Sequence, residues 1–166
     1  MYASLAPFHA AWQYESENTQ KLLDRLTDAS LLPQLYPGGR TIGHLAWHLA
    51  QSIPEMLNRT GLVVSGAGEH DAVPAHAAEI ADAYRTAATS LSEQLHAKWT
   101  DGTLLESDDM YGETWPRGLT LDVLIKHQAH HRGQLTVSMR QAGLVIPGMY
   151  GPAKEEWEAM GITAPD

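Results

Sequence analysis

The sequence predicts an all-α fold, a single domain of four helices arranged as a bundle. Three observations carry this expectation. Four stretches of roughly twenty residues read as helices, the third by its Ala, Glu and Gln content more than by an apolar stripe, loop segments separate them, and no stretch convincingly alternates apolar and polar residues as a half-buried strand would. With 166 residues, the chain has the length of one domain, 1–166, able to bury a substantial core without disulfides or an obligatory structural metal.

The first helix is expected from about Ala6 to Asp28, where Phe8, Ala11, Trp12, Leu22, Leu23 and Leu26 recur at helical spacing. Pro33, Pro37 and the Gly38-Gly39 pair then require a loop. Thr41 caps a second helix to about Thr60, with Ile42, Leu45, Leu49, Ile53 and Leu57 on one stripe, Gly61 as its stop and Pro54 as a bend. Residues 63–73 read as a loop, and a third helix runs from Pro74 to about Trp99, closed by Asp101-Gly102. The stretch around Tyr111 to Gly118 reads as a loop leading to Thr120, with Leu119 and Leu124 as a hydrophobic staple around the start of a fourth helix, Leu121 to about Ala142. Gly143 terminates that helix in the left-handed conformation, Pro147 blocks continuation, and Glu155 to Met160 adds a short turn or two.

Composition narrows the function. A net charge of −9, from 11 basic and 20 acidic residues, repels phosphate backbones and anionic lipid, so neither nucleic acid nor a membrane is expected as a partner. Cysteine is absent, which excludes thiolate ligands, disulfides and a cysteine nucleophile; any thiol chemistry must use a thiol brought by a co-substrate. The start of the chain does not read as a secretion signal, and no stretch approaches the roughly 20 apolar residues of a membrane span, so a cytoplasmic location is expected by default. Asn58-Arg59-Thr60 matches a glycosylation sequon, read here as chance.

Histidines carry the chemistry. His127 and His131 stand four residues apart, one turn above each other on a helix, and His44 and His48 repeat that spacing in another helix. On a helical wheel His131 lies about 40° from His127, whereas His130 lies about 60° to the other side, so His127 and His131 are the better chelating couple and His130 belongs at the rim. Neutral imidazoles from two helices suit zinc, nickel, iron or manganese, with zinc or nickel foremost. His9, His70, His76 and His96 are read as ordinary surface or packing residues.

The run His127-Gln128-Ala129-His130-His131-Arg132-Gly133-Gln134-Leu135, continuing to Met139-Arg140-Gln141-Ala142-Gly143, resembles the fourth-helix signature of the DinB-like family, the DinB and YfiT-type metalloproteins. Thr41-Ile42-Gly43 through His48-Leu49-Ala50 is similar to that family's second-helix motif, and Tyr150-Gly151-Pro152 with Glu156-Trp157 to its tail. The resemblance spans nearly the whole chain. It implies a four-helix bundle of uncommon helix order, with a divalent metal held by His48, His127 and His131. His48 is preferred to His44 because the family's histidine directly precedes a Leu-Ala or similar pair; a rotated second helix would put His44 in its place.

The resemblance further implies two reaction types, transfer or isomerisation with a low-molecular-weight thiol such as bacillithiol or mycothiol, and hydrolysis. The leading expectation is a metal-dependent enzyme acting with such a thiol on an electrophilic small molecule. The alternatives are a metal-dependent hydrolase and a non-catalytic metal-binding stress-response protein. A homodimer is expected from the same resemblance. Arg132 and Gln134 are candidates to orient a substrate or to support the bundle, Trp47, Tyr111 and Trp115 to line a pocket, and Glu55 to act as a general base.

Overall fold

A computed structural model describes residues 1–164 of the protein. Four long helices dominate it: α1 (Leu5–Leu23), α2 (Ile42–Asn58), α3 (Ala77–Lys98) and α4 (Arg117–Gln141). A short antiparallel hairpin, β1 (Ser107–Met110) with β2 (Glu113–Pro116), precedes α4, and a short helix α5 (Lys154–Ala159) follows it. Both α1 and α2 pack against α3 and α4, which sets α1 diagonally opposite α2. The core is drawn from all four, with Phe8, Trp12, Leu49, Ile53, Ile80, Tyr84, Leu121 and Leu135 among its fully enclosed side chains. Among the described residues no helix is long and apolar enough to cross a membrane.

Several boundaries follow from local chemistry. Thr41 caps α2 as expected, its hydroxyl accepting from the His44 N–H at 3.2 Å. Gly143 at φ +79° ends α4 with the predicted left-handed turn: its N–H donates to the Arg140 carbonyl and the Leu144 N–H to the Met139 carbonyl. The first helix, by contrast, stops at Leu23, and a separate 3-10 turn over Asp28–Leu31 is capped by Thr27. The third begins at Ala77 rather than Pro74, where the Asp28 carboxylate accepts the Ala77 N–H at 2.8 Å.

The hairpin corrects the all-α expectation. Ser107-Asp-Asp-Met and Glu113-Thr-Trp-Pro pair in register through a two-residue turn, Tyr111-Gly112, with φ of +61° and +83°. Positive φ at both positions matches the right-handed twist of the strands, and glycine takes its share without strain whereas Tyr111 does not. The same segment displaces the start of α4, which opens at Arg117 behind Pro116; Thr120 lies inside the helix, buried, instead of capping it. Arg117 fastens this corner through ion pairs to Glu106 and Asp108.

Candidate metal centre

The middle of α2 and the middle of α4 face each other, and the histidines meet there. His48 Nε2 lies 3.2 Å from His127 Nε2, and His131 Nε2 lies 3.2 Å from the same atom. All three rings are half-buried and meet edge to face, with ligand atoms within 4.8 Å of one another. The four-residue spacing on α4 supplies two donors from one face, and α2 supplies the third across the interface.

Burial holds these rings neutral. The His48 imidazole is pushed down to about 4, chiefly because half-burial penalises its charged form, with the charges of His131 and Arg40 adding to the effect. His127 is likewise pushed down to about 4 by burial and then by its histidine neighbours His131, His48 and His130. His131 is lowered by burial, against the opposing influence of its hydrogen bond to Gln134. That bond, Nδ1 to Gln134 Oε1 at 2.8 Å, makes Nδ1 the protonated nitrogen and leaves Nε2 with a free lone pair aimed at its partners.

This donor set fits a divalent cation. Three neutral imidazole nitrogens crowd together with too few protons to satisfy one another, and two of their separations, at 3.2 Å, approach the roughly 3.3 Å that two nitrogens bound tetrahedrally to one zinc-like ion adopt. His127 Nδ1 is buried without a hydrogen-bond partner among the described residues, so the ring gains its polar partners through Nε2 alone.

A cavity of about 520 Å³ opens beside the triad, with His48 and His127 in its wall. Gln51, Ser52, Glu55 and Met56 continue that wall down α2, Val123 faces them from α4, Tyr111 and Trp115 come from the hairpin, and Glu69 from the loop after α2. The loop is fixed in place: Gln51 Nε2 donates to the carbonyls of Gly68, Glu69 and Asp71, and Trp47 Nε1 donates to the Asp71 carbonyl at 3.0 Å. The hairpin is fixed too. Tyr111 donates its hydroxyl to Glu55 Oε2 at 2.7 Å, Arg59 donates to Glu55 Oε1 at 3.0 Å, and the Arg59 guanidinium sits 4.8 Å from the centre of the Tyr111 ring. Burial and the Glu55 carboxylate push the Tyr111 phenol well above its ordinary value, so it stays a neutral donor.

The other candidates disperse. His44 is exposed, with its ring Nδ1 on the Thr41 hydroxyl at 2.9 Å, outside the triad. His130 is exposed at the rim and accepts from Gln134 Nε2, so Gln134 bridges it to His131. Arg132 points away from the site altogether: it is enclosed, bound to the Glu15 carboxylate, the Glu15 carbonyl, the Thr19 hydroxyl and the Tyr150 hydroxyl, and it joins α4 to α1 and the tail. Trp47 anchors a loop rather than lining the cavity. His76 pairs with Asp28, and His9 stacks on His96.

Gln128 is the residue that sequence reasoning missed. Fully enclosed, its amide nitrogen donates to the Leu49 carbonyl and the Ser52 hydroxyl, each at 3.0 Å, and its oxygen accepts from the Tyr84 hydroxyl at 3.2 Å. Pro54 has no N–H to offer the Ala50 carbonyl one turn back, next along the chain to the Leu49 carbonyl that Gln128 meets.

Known proteins share the sequence pattern and the fold. Residues 1–165 match the profile of the DinB family. The chain is 44% identical over 165 residues to the uncharacterized protein YrdA of Bacillus subtilis (strain 168), covering 99% of each chain. It is also similar to a crystal structure of a DinB-like protein from Bacillus cereus ATCC 10987, with a TM-score of 0.87 and 47% identity over 90% of this chain and 100% of that one. A DinB-like protein from Bacillus subtilis, YjoA, shares the fold at a TM-score of 0.67 and 16% identity, covering 89% of this chain and 99% of the other.

Proposed function

The chain belongs to the DinB family, and from that premise and the histidine geometry we propose a divalent-metal-dependent enzyme that uses a low-molecular-weight thiol of the bacillithiol or mycothiol type on an electrophilic small molecule. The observation that supports it best is the convergence of His48, His127 and His131 Nε2 atoms at the edge of a cavity large enough for a small molecule. A bound divalent ion, zinc or nickel foremost, supplies Lewis acidity that lowers the pKa of a thiol or water toward neutrality.

The protein's own groups do the rest. The three imidazoles hold the cation, Gln134 keeps His131 in the tautomer that can bind, and the four-helix framework fixes α2 against α4 so that the donors meet without reorganisation. Trp115, Met56 and Val123 shield one side of the cavity from water. Because the chain contains no cysteine, the nucleophilic sulfur comes with the co-substrate.

The test follows the displacement of chloride from 1-chloro-2,4-dinitrobenzene by the bacillithiol sulfur with metal-loaded wild type and His127→Ala. A wild-type rate at least about tenfold higher supports the enzyme. Equal rates alongside tight metal binding by the wild type leave a non-catalytic metal-binding protein in its place.

A further inference from the structure

We propose that the cavity beside the triad admits a small molecule with an anionic donor at its histidine end, an apolar middle, and a protonated amine at the end where Glu55 and Glu69 stand. This inference deepens the reading of the triad as a cation site, and its test separates the two.

Donors in the wall are spent and acceptors are spare. Apart from the histidines, every wall side chain with a hydrogen to give has already given it. Tyr111 donates to Glu55, the Trp115 indole N–H to Glu113 at 2.8 Å, the Ser52 hydroxyl to the Leu49 carbonyl at 3.2 Å, and the Gln51 amide N–H groups to the loop carbonyls. What remains is acceptors. Each Glu55 oxygen takes one hydrogen bond and retains a second lone pair, and the Gln51 carbonyl oxygen meets no donor among the described residues. Glu69 stands at the mouth, more than half exposed, approached by Arg59 only at 4.0 Å.

Charge points the same way. No lysine or arginine lines the cavity; at the Glu55 end, Arg59 is engaged with the Glu55 carboxylate and the Tyr111 ring. A carboxylate or phosphate at that end would meet two carboxylates and no donor, whereas an ammonium meets charge-assisted acceptors and an aromatic wall. Glu55 lies seven residues beyond His48 on the same helix, about 10 Å along its axis, so the two ends of the ligand are separated by a spacer of about six carbons, flanked by Met56, Val123 and Trp115.

Isothermal titration of the full chain, loaded with zinc, compares three thiols of equal length: 6-aminohexane-1-thiol, hexane-1-thiol and 6-sulfanylhexanoate. The amine is expected to bind at least about tenfold tighter than hexanethiol, and the carboxylate most weakly. Glu69→Gln and Glu55→Gln each reduce the amine's advantage at least about threefold while leaving the affinity for hexanethiol unchanged. An amine that binds no tighter than hexanethiol, or a carboxylate that binds tightest, overturns the proposal. If Glu55→Gln does not fold by circular dichroism, the wild-type ligand series and Glu69→Gln decide. Metal-free protein is titrated in parallel with hexylamine and hexanoate. If the wild type takes up no zinc, the cation reading falls, and hexylamine binding over hexanoate still decides the amine end.

Discussion

Gln128 and Leu49 are 79 residues apart, the same separation as His127 and His48, and the two pairs make parallel contacts across the α2–α4 interface: 3.0 Å from amide nitrogen to carbonyl and 3.2 Å between ring nitrogens. A buried side chain thus clamps backbone to backbone immediately beside the pair of rings, fixing how far α2 slides along α4.

Replacing Gln128 with Met keeps the volume and removes the clamp. The variant is expected to bind zinc about tenfold or more weakly, the range seen when groups behind metal ligands are lost, and to lose about 1–3 kcal/mol of stability from the Tyr84 hydroxyl left without its acceptor and the lost bonds to Leu49 and Ser52. Tyr84→Phe serves as the comparison, lowering the melting temperature while leaving zinc affinity unmoved. A Gln128→Met protein that melts early yet binds zinc as tightly as wild type would show that the amide supports packing only.

Gln134 offers the converse case, since it is exposed and touches the site through one hydrogen bond to His131. Gln134→Ala releases the choice of tautomer, and zinc affinity is expected to fall about tenfold with the melting temperature of the metal-free protein nearly unchanged. Competition titration against a chromogenic chelator reads the first quantity and thermal unfolding the second.

Acidity should weaken the metal-free protein in a defined window. His48 and His127 are held at about 4, below the roughly 6.5 of an unfolded imidazole, so the folded state binds fewer protons than the unfolded state between those values. Their neutral forms favour folding fully above about pH 6.5, and that contribution is lost as pH falls toward 4. Urea titrations are expected to show declining stability across this window, with a shallower decline in the His48→Ala variant; identical slopes in the two proteins contradict the assignment.

Arg132 and Glu15 form an enclosed ion pair with Tyr150 against it. Arg132→Met strands the Glu15 carboxylate and is expected to cost about 3–5 kcal/mol, which for a chain of this length lowers the melting temperature by roughly 6–20 °C. Calorimetry of the metal-free protein checks this, and a loss below about 1 kcal/mol would mean that water reaches the pair.

The four-residue spacing made the His127 and His131 pair legible, spacing alone left His44 and His48 open as the third member, and with the second-helix resemblance the meeting of all three rings was legible. The hairpin was not. Ser107-Asp-Asp-Met and Glu113-Thr-Trp-Pro carry one buried apolar side chain, Met110, so no alternation marks them, and Tyr111 stands in the turn where Asn or Asp would have signalled one. Gln128 escaped for a different reason, and Arg132 was legible only as a choice between orienting a substrate and supporting the bundle. An inward-facing polar residue on α4 looks like surface until the neighbouring helices show which carbonyls and carboxylates wait for it. The start of α4 was misplaced because Thr120 has the chemistry of a cap, yet the strand before it carries the chain straight into the helix at Arg117.

The hairpin and the paired helices have separable duties. The three histidines that could hold a cation come from α2 and α4, whose positions are locked by the interior, whereas Tyr111 and Trp115 hang from a ribbon at the edge. Sequence drift in that ribbon can retailor which guest is welcomed without loosening the anchor, so a lineage built on this scaffold is free to diversify its chemistry one turn at a time.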